Sequence, residues 1–209
     1  MIALWFLIGV LVQTSSEPFT QFTYCHEYPG MGPYERQCIQ LNLGGAGTSR
    51  IKGRDVVENS RPFSLSPAGR DKFLALLAAT RNLVDSKAYE SKRKVANLGR
   101  KQLILEFPSE KREAEFNYSD IKEVNALCTF LDAILNQEAL ITDLDIAAQY
   151  ERLSVPERLQ QLESELRAGR IGDPPGVIPA LERIIQNDRI LTYAREYALA
   201  LRNRLINPK

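Results

Sequence analysis

The sequence predicts an α+β fold: an antiparallel sheet of about five strands with helices on one face, followed by a C-terminal helical segment. Three observations predict it. Short runs with period-two alternation come in pairs separated by turn residues. Apolar residues recur at helical spacing after Ser66-Pro67 and again after Ser119. From about residue 139 onward the chain reads as helix alone. This order is not the strand–helix alternation of a nucleotide-binding fold.

The first strands are FTQFTY (19–24) and ERQCIQLNL (35–43), the latter with Ile39, Leu41 and Leu43 on one face. Gly44-Gly45-Ala46-Gly47 makes a turn into a third short strand, TSRIKG (48–53), and residues 54–64 read as loop. A phosphate-cradling loop would have to open a helix, and TSRIKGRD has no helical period. Ser66 then caps a helix with Pro67 at its first position, and Phe73, Leu76, Leu77, Thr80 and Leu83 carry it to about residue 84. Residues 85–101 are a polar, basic loop. QLILEF (102–107) and REAEFNY (112–118) form a second hairpin around PSEK. Ser119 opens a second helix along Ile121, Val124, Leu127, Leu131 and Ile134. SVPE (154–157) reads as a capping box, GDPPG (172–176) as a break, and two helices follow over about 177–187 and 191–206.

Length and composition bound the class. The 209 residues are 44% hydrophobic and 25% charged, enough to build a core without a metal. A net charge of +1, and a basic run (SKAYESKRK) with a single aromatic, give no footprint for nucleic acid. The first twelve residues, MIALWFLIGVLV, are nearly all apolar but shorter than the roughly 20 needed to span a bilayer. With Gln13-Thr14-Ser15-Ser16 behind them, residues 1–16 read as a signal peptide, or as an N-terminal anchor if uncleaved. No Lys or Arg precedes the apolar run. The expected organisation is 1–16 leader, 17–138 α+β domain and 139–209 helical segment, in a periplasmic or secreted protein.

CHEYPGMGPYERQC, Cys25 to Cys38, holds two of the three cysteines and the only histidine. With Met31 near the hairpin tip, Cys25 lies opposite Cys38, Tyr24 opposite Ile39 and Phe22 opposite Leu41. The four apolar residues then share one face and the cysteines the other, at a separation a disulfide can bridge. Such a bond needs an oxidising compartment, in agreement with the leader. A Cys–His catalytic pair is disfavoured, because Cys25 and His26 are strand neighbours and point to opposite faces. Zinc held by Cys25, His26 and Cys38 lacks a fourth ligand. His26 reads as a hairpin-end residue and Cys128 as a buried free thiol. The carboxylate pairs Glu113/Glu115 and Asp143/Asp145 read as solvated, and Asn117-Tyr118-Ser119 matches the glycosylation sequon.

Two resemblances follow from these residues. CIQLNLGGAGTSRIKG, SLSPAGRDKFLALL and the QLILEF/REAEFNY hairpin resemble small exported bacterial domains of unknown function over about 20–137. That family implies no catalytic residues. DPPGVIPALERIIQNDRILTYAREYALALRNRL (173–206) resembles one HEAT-type helical pair, with Pro179, Asp188, Arg195, Ala198 and Leu201 carrying the likeness. A single pair cannot stack into a solenoid, so the resemblance implies a cap packed on the domain or on another chain. The functional expectation is a non-enzymatic, exported interaction or structural module with no cofactor or metal. Its expected partner is an envelope protein, met through Tyr193, Tyr197, Leu199 and Arg202. The alternative is a hydrolase or small-ligand-binding protein with a cleft converging on Glu113, Glu115 or Arg195.

Overall fold

A computed structural model of the chain describes residues 17–28, 30, 34–54 and 58–207. The leader segment and the hairpin tip at Met31 lie outside the described residues. Among these residues six strands form one antiparallel sheet: β1 (Gln21–Glu27), β2 (Tyr34–Leu41), β3 (Ala46–Gly53), β4 (Asn59–Ser64), β5 (Arg100–Glu106) and β6 (Lys111–Phe116). Their spatial order is β4-β3-β2-β1-β5-β6, so the first hairpin lies in the middle. Among the described residues five α-helices accompany them: α1 (Pro67–Ala79), α2 (Lys122–Tyr150), α3 (Val155–Arg167), α4 (Ile178–Gln186) and α5 (Thr192–Ile206). Among the described residues no helix is long and apolar enough to cross a membrane.

The hairpin register is the expected one: Cys25 pairs with Cys38, Tyr24 with Ile39 and Phe22 with Leu41. The sixth strand, β4, corrects the expected loop at 54–64. NSRPFS lacks apolar alternation because β4 is a sheet edge with only partly covered side chains, and an edge tolerates Pro62. The first helix stops at Ala79 rather than near 84. Arg81, Asn82 and Leu83 adopt left-handed backbone (φ 54°, 51° and 60°), which turns the chain and buries Leu83. Such backbone costs roughly 1–2 kcal/mol per residue, and burial of a leucine returns about as much as one or two of them. Arg112 Nη1 donates to Asn82 O (2.8 Å) and Tyr89 Oη to Thr80 O (3.2 Å), fixing the turn.

Capping chemistry is realised at one of two expected places. Ser66 is extended (φ −62°, ψ 162°) and its Oγ accepts from Gly69 N at 3.1 Å. Ser154 is in helical conformation, so its hydroxyl donates backward to Glu151 O (2.8 Å) and caps nothing. The SVPE segment continues a 3-10 turn, Arg152–Ser154, directly into α3.

Two apolar clusters share α2. Phe22, Tyr24, Ile39, Leu41, Leu103 and Leu105 on the sheet's inner face pack against Phe73 and Leu77 of α1 and Leu127, Leu131 and Ile134 of α2. The second cluster joins Leu140, Ile141 and Leu144 of α2 to Leu159 and Leu162 of α3, Leu181 and Ile184 of α4, and Ala194, Ala198 and Leu201 of α5. Fully burying a Leu or Ile contributes about 1.5–3 kcal/mol, so each cluster is a substantial core. The α4–α5 pair packs on this chain's own α2 and α3.

Candidate functional site

Strand alternation places Gln37, His26 and Lys101 side by side in one cross-strand row on the sheet's inner face, between Ile51 and Phe116. Helix α2 crosses above this row and supplies Asp132. The Asp132 carboxylate is the hub. Its Oδ1 accepts from Tyr24 Oη (2.6 Å) and contacts His26 Nδ1 (3.0 Å), while Oδ2 accepts from Lys101 Nζ (3.0 Å). Burial pushes this carboxyl up, but the His26 bond and the Lys101 and His26 charges outweigh burial and hold it below the ordinary aspartate range. Burial first, and then the Asp132 charge, push the Tyr24 phenol up, so Tyr24 stays a neutral donor.

The other ring nitrogen, His26 Nε2, lies 3.2 Å from Leu98 O. The Tyr28 ring stacks on the imidazole, with centroids 4.1 Å apart, and its hydroxyl donates to Gln37 Oε1 (2.9 Å). Gly99 must be glycine here: its φ is +105°, and a Cβ would stand 2.4 Å from Glu27 O and 2.7 Å from His26 Nε2. His26 thus sits at the hairpin end, as the sequence suggests, but is buried there with both ring nitrogens in contact. The missed signal was Asp132: it follows the apolar Leu131 in sequence, and only the crossing of α2 reveals its partners.

At this end of the sheet lies an open cleft of about 830 Å³, bordered by Tyr28, Arg36, Lys52, Asn97, Arg100 and Glu115 among others. Six of its charges pair with one another, Arg36 with Glu27 (3.5 Å), Lys52 with Glu35 (2.8 Å) and Arg100 with Glu115, while Glu58 and Glu90 also line it. Glu113 pairs with Lys111 (3.1 Å) and accepts from Gln102 (2.8 Å); these bonds lower its pKa. The two glutamates therefore do not converge. Arg195 lies elsewhere, on α5, paired with Asp188 (3.0 Å).

Cys25 and Cys38 stand at disulfide distance, 2.15 Å between sulfurs, on the outer face of the sheet. Cys128 is buried, and burial pushes its thiol up to about 12. Asp145 is paired with Arg183 (2.9 Å) and Arg61 (3.6 Å), whereas burial raises the pKa of half-buried Asp143. Asn117 is engaged at both ends of its amide, by Ala96 O (3.0 Å) and Leu98 N (2.8 Å), and Ser119 is fully buried. This sequon is therefore spent on holding the 96–98 segment. Among the described residues no group of three His, Cys, Asp or Glu could hold a metal ion.

The four tail residues do not share one face. Tyr193 and Leu199 are exposed, but six residues apart they lie about 120° from each other around the helix. Tyr197 packs on the second core and donates to Glu163, and Arg202 is half-buried beside Asn203. Other exposed apolar side chains are Ile146 and Tyr150, at i and i+4 in the last turns of α2, and Leu153 in the 3-10 turn beyond the non-helical Glu151. These are 44%, 73% and 82% exposed.

Compared with known proteins, the chain matches no family model and no curated sequence.

Proposed function

We propose that this chain is a non-enzymatic, exported module that works by contacting an envelope protein through its helical half. The observation that carries the reading is the exposure of Ile146, Tyr150 and Leu153 at the end of α2 and in the turn after it. Three large apolar side chains exposed this close together in the chain favour an interaction surface. Tyr193 and Leu199 of α5 extend the apolar exposure of the same half. The polar cluster supports the non-enzymatic side: both nitrogens of the only histidine and both oxygens of Asp132 already have partners within the chain. A general base needs a free nitrogen aimed at substrate. The Cys25–Cys38 pair supports an oxidising compartment.

The test is co-purification from envelope extracts of the native host, comparing the wild type with Tyr150→Glu/Leu153→Glu. Both positions are exposed, so the double variant is expected to fold normally and lose its partner. Retention of every partner by the folded variant contradicts the reading.

One observation favours a second reading, a small polar ligand held in the cleft. Its volume suits a ligand, and Glu115 stands on its wall. A ligand there would shift the amide resonances of Tyr28, Gly99 and Glu115 in a titration; unshifted resonances across a panel of polar metabolites count against it.

A further inference from the structure

We propose that His26 is held doubly protonated and acts as a proton-dependent clasp, closing the segment 96–99 over the edge of the cleft. The inference rests on what its two nitrogens face. Nδ1 is 3.0 Å from a carboxylate oxygen of Asp132, and Nε2 is 3.2 Å from the Leu98 carbonyl oxygen. Both are acceptors. A neutral imidazole carries one N–H, so either tautomer would press a nitrogen lone pair against an oxygen. The side chain is 8% exposed, which leaves little room for water to resolve the conflict. Only the imidazolium satisfies both contacts.

The surroundings divide by sign. Asp132 on α2 favours the charged ring, and so does the face of Tyr28 stacked on it. Lys101 on β5 opposes it, but lies on the other oxygen of the same carboxylate. Tyr24 on β1 donates to Asp132 and carries no charge, as does the buried thiol of Cys128 on α2. The clasped segment is held from its other side by Asn117, through Ala96 O and Leu98 N. Asn97 and Gly99 line the cleft, so the clasp sets one of its walls. Removing the Nε2 proton turns an attraction to Leu98 O into a repulsion. Rising pH therefore frees the segment, and falling pH closes it for as long as Asp132 remains ionised.

His26 is the only histidine, so its ring nitrogens can be read without assignment ambiguity. The experiment is a long-range proton–nitrogen correlation spectrum of the full chain across a pH series, with amide exchange measured in parallel. The expected result is two protonated ring nitrogens at neutral pH. On loss of the Nε2 proton at higher pH, the Leu98 amide should exchange about tenfold faster than its intrinsic pH dependence predicts. One unprotonated ring nitrogen at neutral pH overturns the proposal. So does loss of the proton with no change at Leu98.

Discussion

Asp173, which precedes the tail helices, secures the start of a helix 107 residues away in sequence. Its carboxylate accepts from the backbone N–H of Ser66 (2.6 Å) and from the Ser66 hydroxyl (2.5 Å), while that hydroxyl accepts from Gly69 N. A negative charge at a helix N-terminus is favourable, and this one is 1% exposed. Its own N–H donates to Gln137 Oε1 (2.9 Å), so one residue links α1, α2 and the tail.

Asp173→Ala leaves the Ser66 donors without their buried acceptor. The expected loss is about 2–3 kcal/mol of unfolding free energy, read as a lower urea midpoint. Gly69→Ala should also destabilise, because its Cβ would stand 2.5 Å from the Asp173 carboxyl carbon. A single shared transition would fit the joint; two separate transitions, only one of them shifted, would not.

Glu138 gives a pH dependence. It is 2% exposed, and burial lifts its carboxyl to about 7 despite Arg61 at 3.2 Å. A raised acid binds its proton more tightly in the folded state. Its contribution is therefore full below the unfolded value of about 4.3 and is lost as pH rises through about 7. Relative to Glu138→Gln, the wild type should lose stability between about pH 5 and pH 8. Parallel stability curves for the two proteins would contradict this.

Asp132→Ala strips His26, Lys101 and Tyr24 of a common acceptor. Asp132 is itself partly exposed, so the expected cost is that of leaving the buried His26 and Tyr24 groups unpaired, about 1–3 kcal/mol. Asp132 has the opposite pH sign to Glu138. Its lowered carboxyl contributes above the unfolded aspartate value, and that contribution is lost as pH falls through the folded one. Thermal unfolding of the variant beside the wild type over an acid pH series checks both.

The Cys25–Cys38 link encloses a sequence separation of 13. Replacing both cysteines by serine should lower stability by about 3 kcal/mol in the chain-entropy description. Equal urea midpoints for the wild type with and without reductant would contradict it.

The hairpin was legible because its register follows from two local facts, a turn centre and the alternation of Phe22, Tyr24, Ile39 and Leu41. The helical stripes of α1 and α2 were legible for the same reason. Strand β4 was not, since an edge strand has no need of an apolar face. The end of α1 was not, because Leu83 is turned inward by tertiary contacts that override helical periodicity. The Asp132 hub and the Asp173 joint each bring together residues about 100 apart, and no short-range pattern encodes such a meeting. Nothing local in the sequence marks Ile146, Tyr150 and Leu153 as uncovered, and only the packing shows their exposure.

The proposed export rests on the stapled central hairpin. Its most direct test is a free-thiol count by mass spectrometry on protein isolated from the native host and denatured without reductant. The account predicts one alkylated cysteine, Cys128, together with an intact Cys25–Cys38 peptide pair. Three alkylated cysteines would contradict it and return the protein to a reducing compartment.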